Sequence, residues 1–227
     1  GFNSFWGDIN NYHIIGYLPD ILNREDSSLS YMVKYMVDYN KQDINESLYT
    51  DKSKCIETVM NLLEKNEKKV IIIGVAYSLL SFAEYFSNVE KKVNTENLII
   101  VETGGMKGHF KELIREELHN KLKYLFRVNE IYSEYGMAEL LSQSYAKGNM
   151  FNSPPWKKIL LRTFDDPFCI IDAYERTGGV NIIDLANIYS CSFIATDDIG
   201  KIYNNGCFEI IGRYDNVEIR GCNIYAV

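Results

Sequence analysis

Apolar residues in the first two-thirds of the chain form short continuous runs that alternate with stretches of helical spacing. The runs at 13–18 (HIIGYL), 70–74 (VIIIG) and 98–102 (LIIVE) predict strands, the last two buried on both faces, and a further strand is predicted over 128–133. Strands that alternate with helices in this way indicate βαβ units and a mostly parallel sheet. Ligands of such sheets usually bind beyond the carboxyl ends of the strands.

Between the strands, apolar residues recur every three or four positions, as on one face of a helix. Ser27 and Ser28 precede the first such stretch and belong to a residue type that caps helices. Tyr31, in the same stretch, is interpreted as a core aromatic. Further helices are predicted over 53–66, 77–87 and 107–124, and the turn at Tyr135-Gly136 is expected to open another short helix.

The pattern changes after about residue 147 to short β-type segments separated by glycine and asparagine. Strands are predicted at 159–163, 180–184, 193–196 and 208–211, and the Asn204-Asn205-Gly206 turn marks a hairpin. We therefore expect an α/β protein with two lobes, an α/β lobe over 1–146 and a β-rich lobe over 147–227.

Composition narrows the classes of protein that fit. Hydrophobic residues make up 46% of the 227 residues, which is enough for a substantial core. The net charge of −7 argues against a nucleic-acid partner, because no basic excess neutralises phosphates. Five cysteines without a CxxC pair, with no signal peptide and no apolar run of membrane-spanning length, predict free thiols, a cytoplasmic location and no membrane span.

Two segments at predicted strand ends combine residue types that suit a nucleotide. In ETGGMKG (102–108), glycines let the backbone approach a flat ligand, and the helix N-terminus that follows favours anions; a plain turn is the alternative. In SEYGMAE (133–139), Tyr135 can stack on a base, and the carboxylate of Glu139, one helical turn later, can hold Mg²⁺. The alternative is a core tyrosine and a solvated glutamate.

A third pair of segments, TDDIG (196–200) and GRYDN (212–216), places acidic residues at a strand end and an arginine nearby. An aspartate there can accept hydrogen bonds from both ribose hydroxyls, and an arginine adds a donor to ribose or phosphate. The alternative is an Asp-rich turn with a surface ion pair.

Taken together and in this order, ETGGMKG, YGMAE, TDDIG and GRYDN resemble the adenylate-forming superfamily of acyl- and aryl-CoA ligases, luciferases and nonribosomal adenylation domains. The chain is most similar to the acyl-protein synthetases, which activate fatty acids for reduction and are related to phenylacetate–CoA ligases. This closer resemblance covers essentially the whole chain and rests on GYLPDILNREDSSLSYMV, IIIGVAYSLL, ETGGMKGHFKELIREELH, SEYGMAELLSQSY, PPW, NIIDLANIYSCSFIATDDIG and GRYDNVEIRGCNI. It implies part of the large domain of an adenylate-forming enzyme.

The resemblance also implies roles for single residues, with ATP and Mg²⁺ as cofactors and a fatty acid or other carboxylate as substrate. The activated acyl group would move to the thiol of Cys222, whose neighbour Arg220 favours the thiolate, and then to an acyl-CoA reductase-like partner. A buried structural thiol is the alternative for Cys222, and Cys191 and Cys207 are the other candidates. The nucleotide-site residues are Gly104 and Gly105 at the adenine, Tyr135 stacked on it, Gly136 and Ala138 in the same segment, Asp198 at the ribose hydroxyls, Arg213 at ribose or phosphate, and Glu139 at Mg²⁺.

The sequence departs from the superfamily pattern at four points. A phosphate loop of the TSGTTG type is absent from these residues and is expected upstream of residue 1, and the mobile carboxyl-terminal lid has no counterpart, as in short acyl-protein synthetases. Ala138 replaces a threonine near the α-phosphate, and Asp197 replaces the glycine of the TGD pattern. Two alternatives therefore stay open, an acyl- or aryl-CoA ligase and a non-catalytic nucleotide-binding fragment. A purely structural domain leaves the ordered motifs unexplained.

Overall fold

The computed structural model describes residues 1–19, 22, 24, 26–89, 93–104 and 114–214. The chain divides into two compact units, one of Phe2–Ala138 and one of Gly1 with Glu139–Val227. The division falls after Ala138, whereas the sequence suggests a change of lobe after residue 146.

The first unit is built on a parallel sheet covered by helices. Neighbouring strands in the order β2-β1-β3-β4-β5 are all parallel, so the predicted parallel sheet is confirmed. The strands are β1 (Tyr12–Tyr17), β2 (Leu48–Tyr49), β3 (Lys69–Val75), β4 (Leu98–Thr103) and β5 (Ile131–Tyr135), and the helices are α1 (Phe2–Trp6), α2 (Ser28–Tyr39), α3 (Lys52–Lys65), α4 (Ala76–Ser87) and α5 (Arg115–Phe126), with 3₁₀ turns at Ile9–Asn11 and Ile44–Glu46.

The core of this unit lies between the sheet and the helices. Val70 and Ile72 of β3 are fully buried against apolar residues of the helices, which include Val59, Leu79 and Leu122. Full burial of one such side chain contributes roughly 1.5–3 kcal/mol. The continuous apolar runs of the strands thus reflect a sheet whose central strands are covered on both faces.

The four helices predicted before residue 125 are confirmed where the structure describes them, with one correction. Ser27 caps α2 by accepting a hydrogen bond from the backbone N–H of Ser30, but Tyr31 is 72% exposed, so its interpretation as a core aromatic is wrong. The packed face of α2 instead includes Val33 and Val37. Residues 107–113 of the predicted fourth helix lie outside the described residues.

The strand predicted over 128–133 begins later than expected. Arg127 ends α5 in the left-handed conformation, and the backbone N–H of Val128 still donates to the carbonyl of Lys123. The helix-ending turn therefore occupies the first residues of the predicted strand. Within the described ranges, no helix combines the length and the hydrophobicity that crossing a bilayer requires.

The second unit is an antiparallel sheet with strand order β6-β7-β11-β10-β9-β8. The predicted hairpin at Asn204-Asn205-Gly206 is confirmed, with Gly206 at φ +83°. The hairpin of β6 and β7 was not predicted. The strands are β6 (Ser144–Lys147), β7 (Met150–Asn152), β8 (Lys157–Arg162), β9 (Thr177–Asp184), β10 (Phe193–Ile202) and β11 (Phe208–Arg213), with a 3₁₀ turn at Leu185–Asn187.

The short helix expected after Tyr135-Gly136 does not form. Residues 136–143 contain only turns and irregular backbone. The backbone N–H groups of Leu141 and Ser142 donate to the carboxylate of Asp184, at 3.1 and 2.9 Å, instead of to carbonyls of a preceding helical turn. A buried carboxylate from a distant part of the sequence thus replaces the local hydrogen bonds that a helix would need.

Candidate functional site

Gly104 and Tyr135 follow paired residues at the carboxyl ends of β4 and β5, where Thr103 lies opposite Glu134. Gly104 has φ +70°, a backbone conformation that residues other than glycine rarely adopt, and a Cβ placed there would meet no atom of the described residues within 4 Å. Backbone conformation, and not crowding, therefore requires glycine at this strand end. Tyr135 and Gly136 are half-buried, and Gly105 lies outside the described residues.

A buried polar cluster lies directly before these strand ends, and the sequence reasoning missed it. Glu102, 4% exposed, accepts a hydrogen bond from Ser133 Oγ, and its Oε1 is 3.5 Å from His119 Nε2 and 3.8 Å from Arg115 Nε. A buried carboxylate requires such partners, because unpaired charge in a core is strongly unfavourable. The cluster ties α5 to β4 and β5 immediately before the Gly104 turn.

A second buried pair joins the same two strands. Thr103 Oγ1 donates to Glu134 Oε2, and both residues are almost fully buried. Adjacent residues of a strand point to opposite faces, so this pair and the Glu102 cluster hold the sheet from both sides. The sequence signal was the presence of polar residues near the end of each strand, in LIIVET and IYSEY.

In the second unit, the structure brings together the two residues expected at the ribose. Asp198 of β10 lies directly opposite Arg213 of β11, and Arg213 Nε is 3.7 Å from Asp198 Oδ1. Asp197 also contacts this guanidinium, since its Oδ2 is 3.4 Å from Arg213 Nη2. The extra negative charge at Asp197, where the superfamily pattern has glycine, is therefore partly balanced by the arginine.

The backbone around Asp198 is fixed by its neighbours. Thr196 Oγ1 accepts from the backbone N–H of Asp198 at 3.1 Å and donates to the carbonyl of Val180 at 2.9 Å. Arg162 Nη2 donates to the carbonyl of Thr196 at 2.8 Å. The pairing of β10 with β9 is also irregular between Ala195 and Ile199, which marks a bulge at this point. Bulges often re-aim side chains beside functional sites.

Glu139, the candidate metal ligand, has an exposed side chain in the irregular segment after Ala138, which is also exposed. Among the described residues, no other side chain pairs with its carboxylate, and no group of three His, Cys, Asp or Glu residues can hold a metal ion. A single carboxylate nevertheless fits Mg²⁺, which proteins commonly bind through one or two carboxylates together with substrate phosphates.

The candidate acceptor thiol, Cys222, lies outside the described residues. Of the alternatives, Cys191 is exposed and Cys207 is half-buried, and the four described cysteines are all free, as predicted for them. Cys55 is buried in the core of the first unit, where desolvation raises the pKa of its thiol and suppresses the reactive thiolate.

Comparison with known proteins shows which fold this chain shares with solved structures. No protein-family model matches the sequence, and no curated protein matches it. Solved structures that match include coronafacic acid ligase from Pectobacterium brasiliense, with 17% identity, a TM-score of 0.57 and coverage of 88% of this chain and 39% of the ligase. O-succinylbenzoate coenzyme A synthetase (MenE) from Bacillus subtilis, in complex with AMP, matches at 14% identity and a TM-score of 0.60 over 94% of this chain and 43% of that enzyme.

A third similar structure is ATP-bound MatB from Rhodopseudomonas palustris, with 11% identity and a TM-score of 0.58 over 94% of this chain and 42% of MatB. These neighbours are adenylate-forming enzymes, and the mixed α/β architecture described above is shared with them. The chain spans about two-fifths of the length of these structures.

Proposed function

We propose that this chain carries a nucleotide-binding part of an ATP-dependent ligase that activates a carboxylate as its acyl-adenylate. In this reaction the carboxylate oxygen attacks the α-phosphorus of ATP, the bond to the bridging oxygen breaks, and pyrophosphate leaves. The fold shared with ATP-bound MatB and with AMP-bound MenE supports the proposal.

The observation that carries the proposal is the pairing of Asp198 with Arg213. They come from two separate motifs of the resemblance, TDDIG and GRYDN, and they lie directly opposite each other on neighbouring strands. The Asp198 carboxylate can accept hydrogen bonds from two ribose hydroxyls, while Arg213, whose side chain is 49% exposed, retains donors for ribose or phosphate. Asp198 is largely buried, which strengthens charge-assisted bonds to a ligand.

The other candidate residues take roles that fit their surroundings. Gly104 provides a backbone that a flat base can approach, and half-buried Tyr135 offers a ring for stacking. The resemblance gives Gly105, which lies outside the described residues, the same role as Gly104. Glu139 presents an exposed carboxylate to the metal that accompanies ATP. Bound Mg²⁺ supplies charge neutralisation at the phosphates. Ala138 provides no hydroxyl, so donors to the α-phosphate must come from other groups.

In the second step we infer transfer of the acyl group to a cysteine of the protein, with a fatty acid as the carboxylate. The thiolate of Cys222 attacks the acyl carbonyl, a thioester forms, the bond between the acyl carbon and the phosphate oxygen breaks, and AMP leaves. The closer resemblance to acyl-protein synthetases supports this step and an acyl-CoA reductase-like recipient.

Coenzyme A is the alternative acceptor. One of the structural neighbours, MenE, is a coenzyme A synthetase, and its fold is shared by this chain. With coenzyme A as acceptor, the same adenylation precedes attack by an external thiol, and Cys222 is dispensable.

The test is the intact mass of the full-length natural protein after incubation with Mg·ATP and a long-chain fatty acid. We expect a covalent acyl adduct that hydroxylamine removes and that Cys222→Ser abolishes, while the matched change Cys169→Ser, at an exposed free thiol, leaves it. Pyrophosphate release without an adduct, and turnover with coenzyme A in Cys222→Ser, would instead establish the ligase alternative. If neither an acyl adduct nor pyrophosphate forms, both the transfer to Cys222 and the ligase alternative are contradicted.

A further inference from the structure

The backbone of Glu139 is anchored by a side chain from a distant loop. Asn187, in the 3₁₀ turn at Leu185–Asn187, donates its Nδ2 hydrogen to the carbonyl oxygen of Glu139 at 2.7 Å. Asn187 is 3% exposed, so its amide is shielded from competition by water. The Glu139 side chain itself remains exposed. The contact therefore fixes the main chain and leaves the carboxylate available.

The residues that follow Glu139 are held by Asp184, which begins the same loop and is fully buried. Its Oδ2 accepts the backbone N–H groups of Leu141 and Ser142, and its Oδ1 accepts Ser142 Oγ at 2.7 Å and the N–H of Ala186 at 3.1 Å. One carboxylate thus binds the segment after Glu139 and the loop that carries Asn187. Bonds to an ionised acceptor are stronger than neutral ones.

Ser142 accepts two further hydrogen bonds, both from side chains. Trp156 Nε1 donates to its hydroxyl oxygen at 2.8 Å, and Lys157 Nζ, on a 4% exposed residue, donates to its carbonyl oxygen at 2.9 Å. Four side chains therefore fix a segment, 139–142, that has no helix or strand of its own. Such anchoring removes conformational freedom that a ligand would otherwise have to remove on binding.

We propose that Asp184 and Asn187 are positioning residues, which fix the backbone of 139–142 so that the Glu139 carboxylate is pre-set for the Mg²⁺ of Mg·ATP. The proposal rests on the proposed function, in which Glu139 helps to hold that ion. Residues that orient a metal ligand commonly change metal affinity about 10–100-fold when they are removed. Neither residue contacts the ion; both act through Glu139.

The test measures ATP binding to the full-length protein, by calorimetry, as a function of Mg²⁺ concentration. We expect Asn187→Ala to raise the Mg²⁺ concentration for half-maximal ATP binding about tenfold, with a smaller effect on ATP binding in EDTA. The isosteric Asn187→Asp, which replaces the amide donor with oxygen, should act in the same direction. Asn88→Ala is the matched control, because Asn88 Nδ2 also donates to a glutamate carbonyl, that of Glu84, at 2.9 Å.

A double-mutant cycle with Glu139→Gln separates positioning from general loss of structure. If Asn187 acts through Glu139, Asn187→Ala should leave the Mg²⁺ dependence unchanged in the Glu139→Gln background, while its effect on the melting temperature persists. The positioning role would be overturned if Asn187→Ala shifted the Mg²⁺ dependence equally in the wild-type and Glu139→Gln backgrounds. It would also be overturned if neither Asn187 variant changed the Mg²⁺ dependence. In either case the proposed function would still stand. Wild-type protein that binds no ATP would instead contradict the proposed function.

Discussion

Single residues with the same chemistry have different surroundings in this fold, as Asp197 and Asp198 show. The Asp198 side chain is 12% exposed, whereas that of Asp197 is 62% exposed, although both contact Arg213. The resemblance assigns the ribose to Asp198, the more buried of the two, and this assignment stays a prediction. The sequence provided no way to see the burial, because it arises from β-sheet pairing.

Asp198→Ala should therefore weaken ATP binding about 10- to 100-fold, which corresponds to the roughly 1.5–3 kcal/mol of hydrogen bonds to a charged group. The adjacent change Asp197→Ala serves as the control and should alter ATP affinity by less than about threefold, because exposed ion pairs contribute little. Calorimetric titration of both variants with ATP distinguishes them. Equal losses of ATP affinity in the two variants would show that Asp198 has no special role.

Gly104 offers a second residue-scale test of backbone conformation. Its φ is +70°, and no described atom lies within 4 Å of a Cβ placed there, so packing does not confuse the result. Gly104→Ala should lower the free energy of unfolding by about 1 kcal/mol, since a Cβ disfavours the left-handed region. Gly212→Ala is the control, because a Cβ there also meets no atom in the described part of the chain and its φ is not in the left-handed region. Urea unfolding curves give both values, and a loss in Gly212→Ala as large as that in Gly104→Ala would contradict the explanation.

At the scale of elements, the sequence predicted the helices, strands and turns whose residue pattern lies within the element itself. The strands β3 and β4 are continuous apolar runs, and the β10–β11 hairpin has its own turn residues, so each was recognised. The helix expected at 136 failed because Asp184, 42 residues from Ser142, takes the amide hydrogens of that segment. Likewise, the pairing of Glu102 with His119 and Ser133 joins three elements and has no signature within any one of them.

The cap of α2 is a local feature that was predicted and can be measured. Ser27→Ala should lower the free energy of unfolding by about 1 kcal/mol, because it removes the acceptor for the Ser30 N–H. Ser28→Ala is the control; Ser28 is exposed and starts the helix, so its loss should change stability by less than about 0.5 kcal/mol. Equal effects of the two changes on urea unfolding would show that Ser27 is not the functional cap.

At the scale of the whole molecule, the fold class was predictable and the chemistry only in outline. Strand–helix alternation indicated the parallel sheet of Phe2–Ala138, and the resemblance indicated the adenylate-forming fold that the solved structures share. The buried polar clusters near the strand ends and the anchoring of Glu139 depend on contacts between distant segments. Such contacts leave no signal within any single stretch of the sequence.

The central claim, carboxylate adenylation, is tested most directly by acid-dependent exchange of labelled pyrophosphate into ATP with the full-length protein. We expect exchange that requires Mg²⁺ and a fatty acid or related carboxylate and that falls at least about tenfold in Asp198→Ala. Folded protein that binds ATP but catalyses no exchange with any acid of a broad panel would contradict the claim and identify a nucleotide-binding module without adenylation activity.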